Sequence, residues 1–281
     1  NVVVTNPDFT LTSARMDFYT ETKHAFFYGA TTIIGEDYVV RCRGGFYNTD
    51  KKEGYFKKNA SIDYNNRNII GDSIYFNDTK KYASATQNIR ITDTINNSFI
   101  TGNYGQVFKE KDSAMVTHRA LAINLVELDS LFIHADTLIA TGPPERRIIR
   151  GFYGVRIFKE DLSGKTDSIY FNQTSGRAKL IRRPISDRDL QYLTPQEIAD
   201  RNPILWSDES QMTGDEIHLT IDNEKEVLDS LLIYNNAFVI EQDSLDAANF
   251  NQIKGLQLKG KFKGKSLETV DVIQNTEMVY Y

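Results

Sequence analysis

The sequence predicts an all-β protein, a long antiparallel meander of near-equivalent strands, and three observations carry that prediction. The first is repetition. Residues 72–77 read DSIYFN and residues 167–172 read DSIYFN again; LDSLFI at 128–133 returns as LDSLLI at 228–233, and GNYGQVFKE at 102–110 returns as GFYGVRIFKE at 151–160 with one residue inserted. Repeats of this kind describe one supersecondary unit stacked on copies of itself, with a single apolar surface running through the stack. The second observation is alternation with period two, which sends neighbouring side chains to opposite faces of a strand. In the first DSIYFN copy Ile74 and Phe76 share one face against Ser73, Tyr75 and Asn77, and in the second Ile169 and Phe171 face away from Ser168, Tyr170 and Asn172. The third is turn chemistry at short, regular intervals.

Taken in order, strands are expected over 11–19, 24–34, 37–47, 54–64, 68–77, 81–92, 98–109, 113–125, 128–140, 148–159 and 166–172. Between them lie the turn formers Asn48-Thr49-Asp50, Asn65-Asn66, Asn77-Asp78, Asn96-Asn97, Gly142-Pro143-Pro144 and Gly176. Strand starts that recur so closely leave no room for crossover helices and fit hairpins. Residues 182–206 break the rhythm. Thr194-Pro195-Gln196-Glu197 is a helix start, with a capping Thr, Pro in the first turn and Glu three residues after the Thr. That helix must stop before Pro203, whose ring pushes Asn202 out of the helical region. A short helical insertion near 186–202, on the sheet edge, is the expectation, with alternation resuming at Gln211. The stretch LQLKGKFKGK places Leu256, Leu258 and Phe262 opposite Gln257, Lys259, Lys261, Lys263 and Lys265. Its lysines suit an edge strand guarded against aggregation, or contacts to the phosphates of an anionic headgroup.

Composition bounds the function. Hydrophobic residues make up 40% of the chain and aromatics 11%, enough for a core, while a net charge of -5 argues against nucleic acid as a partner. Cys42 is the only cysteine, so neither an internal disulfide nor a cysteine metal cluster can form. The four histidines, His24, His118, His134 and His218, lack metal-ligand spacing, and no phosphate loop, nucleophile elbow or HExxH is present. Acidic neighbours such as Asp215 with Glu216 and Glu241 with Asp243 read as solvated turns rather than a hydrolytic pair. The expectation is a protein that is not an enzyme, with no cofactor and no metal.

The C-terminal third adds a resemblance. QMTGD at 211–215, NNAF at 235–238, QIKG at 252–255, VDV at 270–272 and VYY at 279–281 resemble elements of the OstA-like proteins of Bacteroidetes-type bacteria, a family related to the lipopolysaccharide transport protein LptA and the periplasmic N-terminal domain of LptD. The repeated strand phrases extend the resemblance over most of the chain, the 182–206 insertion excepted. It implies an elongated antiparallel β-jellyroll, a sheet folded like a taco, whose interior holds the acyl chains of lipid A and which bridges inner and outer membranes. One domain over 1–281 is expected, or two tandem halves, 1–181 and 207–281, separated by the insertion. A periplasmic location follows, with the signal peptide absent from this sequence.

The residues expected to line the lipid groove are Met16, Phe18, Phe26, Ile62, Ile74, Phe76, Ile89, Ile91, Val107, Ile123, Ile133, Ile157, Ile169, Phe171, Ile217, Leu219, Leu231, Ile233, Leu256, Leu258 and Phe262, with headgroup contacts from Lys259, Lys261, Lys263 and Lys265. The face that forms the trough stays open where both faces carry aromatics, as in HAFFYG at 24–29. Partners are lipopolysaccharide, other jellyroll proteins of the transport bridge, or a second copy of the chain paired edge to edge. Two alternatives stand beside transport: a non-catalytic envelope scaffold with a filled interior, and a carbohydrate-active β-helix, which the Asn-rich hairpin turns disfavour.

Overall fold

Short polar side chains close the turns, and the strands run between them. Asn48 Oδ1 accepts the backbone N–H of Asp50 at 3.1 Å and of Lys51 at 2.8 Å. Asn77 does the same for Lys80 at 2.8 Å, Asp93 for Ile95 and Asn96, and Asn172 for Thr174 and Ser175. An Asx side chain that satisfies the next free N–H groups makes a turn self-contained. Lys23, Lys52 and Lys81 take positive φ (58°, 53° and 48°) at matching turn positions 29 residues apart (52 − 23 and 81 − 52).

The computed structural model describes every residue except 1, 65, 126–129, 161, 208–209, 223–226, 244–245, 247 and 264–265. Its strands are β1 (Val2–Thr5), β2 (Phe9–Tyr19), β3 (His24–Gly35), β4 (Tyr38–Asn48), β5 (Glu53–Tyr64), β6 (Arg67–Asn77), β7 (Tyr82–Asp93), β8 (Ser98–Phe108), β9 (Ser113–Asn124), β10 (Leu131–Thr141), β11 (Ile148–Lys159), β12 (Leu162–Asn172), β13 (Arg177–Ile181), β14 (Ile204–Ser207), β15 (Ser210–Thr213), β16 (Glu216–Asp222), β17 (Val227–Gln242), β18 (Phe250–Lys263), β19 (Ser266–Ile273) and β20 (Glu277–Val279). Two short helices, α1 (Asp187–Leu190) and α2 (Pro195–Ala199), fall where a helical insertion is expected. The Thr194–Glu197 capping box is formed, and α2 stops short of Pro203. The all-β, antiparallel expectation is met strand for strand, with boundaries within a few residues. The Asn65 half of one predicted turn and residues 126–129 lie outside the described residues.

The chain separates into two compact units. One comprises residues 1–125 with 137–144, the other 126–136 with 145–281. This division lies ahead of the 182–206 insertion, which belongs wholly to the second unit. In the first, β1 to β9 pair in sequence order, every neighbour antiparallel.

A mid-strand bend shapes these strands. Register shifts interrupt each pairing from β2–β3 to β8–β9 at one level, and β3, β5, β7 and β9 spend two residues there: Gly29-Ala30, Lys58-Asn59, Gln87-Asn88 and His118-Arg119. Seven of these eight residues have positive φ, Ala30 being the exception. Left-handed residues inside a ladder act as a bulge that turns the strand sharply. The size of the bend is legible within β4. Tyr38 and Tyr47 are nine residues apart, roughly 30 Å along a straight strand, yet their hydroxyls are 3.3 Å apart. The strand is doubled over, with its two halves facing each other.

The second unit repeats this plan with half-strands. β13 pairs with the second half of β12 and β14 with the first, so together they make one folded strand. β15 and β16 do the same against β17, and β19 and β20 against β18. Positive-φ pairs again mark the bends, at Tyr153-Gly154, Asn235-Asn236 and Gln274-Asn275. The insertion therefore occupies a bend, between β13 and β14, and not the sheet edge that loss of alternation suggested.

Two adjacent glycines near the bend of β4 test its geometry. A Cβ on Gly45, at φ 142°, would sit 2.0 Å from the Tyr55 carbonyl oxygen, whereas on Gly44 the nearest atom would be 3.8 Å away. Gly45→Ala is expected to cost about 2–4 kcal/mol of stability and Gly44→Ala less than about 1 kcal/mol. Urea unfolding of both variants checks the difference.

Candidate functional site: an apolar interior closed along a seam

In each unit the side chains on the concave face of the folded strands form an interior. Fifteen of the twenty-one predicted lining residues lie in one or the other: Ile62, Ile74, Phe76, Ile89, Ile91, Val107, Ile133, Ile157, Ile169, Phe171, Ile217, Leu219, Leu231, Ile233 and Leu258, none more than 5% exposed. Met16 and Phe18 stand in register with inward-facing Phe27 and Ala25, yet Phe18 is 41% exposed. Leu256 sits half-buried at the β18 bend and Phe262 half-buried beside a register shift. The structure corrects the remaining two. Phe26 belongs to the outer face, where it meets Tyr19 and Phe46 in a file of rings that continues through Tyr55, Tyr75, Tyr82 and Phe108. Ile123 is likewise only half-buried, its neighbour Ala122 pointing inward. Period two fixes which residues share a face but not which face is concave, and HAFFYG is aromatic on both.

Residues of the interior that the sequence reading missed include Phe9, Leu11, Phe27, Ile33, Val40, Tyr47 and Phe56, all buried. Extending the alternation of each strand back to its turn, for instance from Ile62 through Ala60 to Phe56, was the signal that would have found them. Cys42 is buried at the β4 bend, and burial pushes its thiol up to about 11, which leaves it protonated and unreactive at neutral pH.

In the first unit the interior is shut where the strand ends meet. The turns after β2, β4, β6 and β8 form one row. The turns after β3, β5 and β7, with residues 6–8 ahead of β2, form another. Contacts between the rows make a seam. Lys52 Nζ lies 2.9 Å from Asp8, Arg67 Nη2 lies 2.6 Å from Asp112, and Lys109 pairs with Asp37. Beneath these pairs is a layer of rings: Phe9 meets Tyr47 edge-on at 5.3 Å, Tyr38 meets Phe76 at 4.8 Å and Tyr64 meets Phe76 at 5.9 Å. Burial pushes the Tyr38, Tyr47 and Tyr64 hydroxyls up, so all stay neutral. Burial also holds the Lys109 ammonium, 4.3 Å from the Tyr64 ring centroid, below the ordinary lysine range. Side chains alone hold this seam, with no strand ladder across it among the described pairings. Surface ion pairs and ring contacts each contribute on the order of 1 kcal/mol.

The lysine run has another setting than an edge. β18 pairs with β17 on one side and with β19 and β20 on the other, so it is an inner strand. Lys259, Lys261 and Lys263 are exposed on its outer side, with Lys263 3.5 Å from Glu268. Lys265 lies outside the described residues.

The insertion is tied to the bend by one carboxylate. Asp167, the first residue of the second DSIYFN copy, is buried and accepts from Arg183 Nε at 3.0 Å, from the Arg183 backbone N–H at 3.1 Å and from Arg201 Nη2 at 2.7 Å. Burial works to raise its pKa, but the arginine donors outweigh it and hold Asp167 below the usual carboxylate range. In the first copy the matching Asp72 accepts instead from Asn88 of the neighbouring bend, at 2.8 Å. Among the described residues no group of three or more His, Cys, Asp or Glu is placed to hold a metal ion, and no helix is long and apolar enough to cross a membrane.

Comparison with solved structures finds partial likenesses. Part of the chain is similar to LptH of Pseudomonas aeruginosa, described as the LptA-homologous periplasmic component of the conserved lipopolysaccharide transport device; the match covers 38% of this chain and 75% of that one, at 14% identity and a TM-score of 0.34. No family model matches the sequence, and no curated protein matches it.

Two predictions follow from the geometry. Arg67, whose side chain is 7% exposed, anchors the seam more firmly than Lys52, at 34%. Arg67→Ala is expected to lose about 2–4 kcal/mol, and Lys52→Ala less than about 1 kcal/mol, in chemical unfolding. For Asp167 the folded pKa lies below the unfolded value of about 3.9, so its tether is fully present above that pH and lost as pH falls through the folded value. Cleavage within 187–199 by an acid-active protease should stay slow at pH 5 and rise below about pH 4, and Asp167→Asn should remove that step.

Proposed function

We propose that this protein binds lipopolysaccharide in the cell envelope, shielding the acyl chains of lipid A within the apolar interior and passing them along a bridge between the membranes. The observation that carries the reading is the way the interior is closed: in each unit the folded strands enclose a dry face, and in the first unit side-chain contacts alone, among the described residues, shut its mouth. Parting the seam requires no strand pairing to break. Each methylene moved from water to such a surface gains roughly 0.8 kcal/mol, so a few acyl chains outweigh the ion pairs and ring contacts that they displace. Apolar contacts have no fixed register, which suits a lipid that moves along the trough. The resemblance of the strand phrases to the OstA-like family supports the same reading, and a periplasmic location accords with it. Lys259, Lys261 and Lys263, exposed on the outer side of β18, are proposed to meet headgroup phosphates, as is Lys265.

A second reading has its own observation. Fifteen lining positions are sealed from solvent by neighbouring side chains, as in a scaffold that is filled and pairs with like neighbours through its strand edges. A photo-reactive residue in place of Phe76 or Phe171, introduced in cells, separates the two. Transport predicts adducts with lipopolysaccharide at both positions, those at Phe76 reduced at least several-fold when the seam of the first unit is locked by a cleavable crosslink between cysteines at positions 8 and 52. Labelled, folded protein without lipid adducts at any interior position would favour the scaffold.

A further inference from the structure

At the seam of the first unit, a cleft of about 370 Å³ is lined by Tyr64, Asn66, Arg67, Lys81, Val107, Lys109, Glu110 and Asp112. Three of these residues are cations, and they converge from three turns: Arg67 from the β5–β6 turn, Lys81 from the β6–β7 turn and Lys109 from the β8–β9 turn. Each already has an acidic partner, Asp112 for Arg67, Asp78 at 2.7 Å for Lys81, and Asp37 for Lys109. Two further polar groups of the lining have none. Tyr64 Oη and Asn66 Nδ2 are buried without a hydrogen-bond partner, and the Tyr64 side chain is 2% exposed. Buried polar groups are almost always paired, so two unpaired ones on the same cleft mark a place where a hydrogen-bonding species is accommodated.

The chemistry of that species follows from the lining. Tyr64 Oη–H and Asn66 Nδ2–H are donors, and the three cations add guanidinium and ammonium donors around them. The cleft's own lining carries three positive and two negative side chains, and Asp78 and Asp37 pair with two of the cations from beside it, so an anion binds here by taking cations over from carboxylates. A carboxylate would offer acceptors in one plane only. A phosphate group offers three or four oxygens pointing in different directions, enough to reach donors arriving from three turns, and arginine and lysine are the usual partners of such oxygens. We infer that this cleft is a phosphate-binding site, held by Arg67, Lys81 and Lys109 with Tyr64 Oη and Asn66 Nδ2 as its neutral donors. Because Arg67 and Lys109 also hold the seam, a phosphate bound there competes with Asp112 and Asp37 for the same cations. Occupation of the cleft and loosening of the seam are therefore linked. The inference stands on the lining and holds whether or not the interior takes acyl chains.

Free phosphate and the phosphate of an amphiphile's headgroup would bind by the same contacts. The test uses the full chain and follows binding by calorimetry and by two-dimensional NMR. Its probes are inorganic phosphate, sodium chloride of equal ionic strength, a phosphorylated lipid A-type glycolipid in detergent micelles, and the same glycolipid without phosphate. The expected result is saturable binding of at least one phosphate-bearing probe, with shifts at Tyr64, Asn66 and the 109–112 turn that chloride and the phosphate-free glycolipid do not produce. Tyr64→Phe keeps the ring and should weaken binding about tenfold; Lys109→Gln should weaken it at least as much, while Lys179→Gln, at an exposed position of β13 in the second unit, should not change it. Binding confined to inorganic phosphate assigns the site to the free ion, and binding confined to the phosphorylated glycolipid assigns it to a headgroup. Shifts that chloride reproduces, or phosphate binding unchanged in both Tyr64→Phe and Lys109→Gln, would overturn the assignment. Loss of phosphate binding with interior lipid crosslinks intact would sink this site alone.

Discussion

The fold rests on the pair of left-handed residues at the middle of alternate strands. A straight strand of this length would expose both of its faces along some 35 Å, and a single sheet of such strands would have nothing to pack its apolar side against. Bending each strand at one level brings its first half over its second, so each strand supplies both walls of its own core. The conformation is costly, about 1–2 kcal/mol for each L-residue in the left-handed region, and it recurs at Lys58-Asn59, Gln87-Asn88, His118-Arg119 and Asn235-Asn236. Asparagine, which tolerates that region best after glycine, stands in three of these four pairs. Ladder pairing on both sides of the bend and the buried rings at its mouth offset the cost.

That bend explains why the strands were legible in the alternation itself, whereas the folded, taco-like sheet was legible only through the family resemblance. A two-residue bulge leaves the parity of the alternation intact. In β5 the inward residues are Gly54, Phe56, Ala60, Ile62 and Tyr64, all even, and in β7 they are Ala83, Ala85, Ile89 and Ile91, all odd. Period two therefore runs through the bend as if the strand were straight. What it leaves behind is a polar or small residue in one slot of the inward parity, turned out at the bend: Gly29, Lys58, Gln87 or His118, the last three exposed. Each is unremarkable alone, and only their recurrence at one level of the sheet gives them meaning. In β2, β4, β6 and β8 a single-residue shift changes parity instead, which is why the inward set moves from Leu11 to Met16 in β2 and from Ile69 to Ile74 in β6.

The site was less legible than the strands because it depends on contacts between residues distant in sequence. Alternation identified most of the interior, but Phe26 and Ile123 show its limit, since a face is defined by what packs over it. The seam has no local signature at all. Asp8 with Lys52, Asp37 with Lys109 and Arg67 with Asp112 come from turns at opposite ends of the strands, and in a straight meander these residues would be far apart. The second DSIYFN copy makes the same point from the other side. Asp167 looks identical to Asp72 in sequence, yet one binds a neighbouring bend and the other two arginines of the insertion.

The seam also settles what kind of opening this architecture permits. Separating the two walls along a strand direction would break ladder hydrogen bonds cooperatively. Separating them at the mouth hinges each strand at its bend, where pairing is already interrupted, and among the described contacts breaks ion pairs, ring contacts and the Tyr38–Tyr47 hydroxyl hydrogen bond but no ladder. The bend that closes the core is thus also its weakest line of resistance to opening. Among these contacts the buried Arg67 pair dominates, because the Lys52 pair is exposed and screened by salt. An anion that satisfies Arg67 and Lys109 in place of their carboxylates removes the strongest electrostatic tie across the mouth while leaving the desolvated rings beneath it in place. What would then part those rings is a second apolar surface, which is what the tails of a phosphate-bearing amphiphile provide.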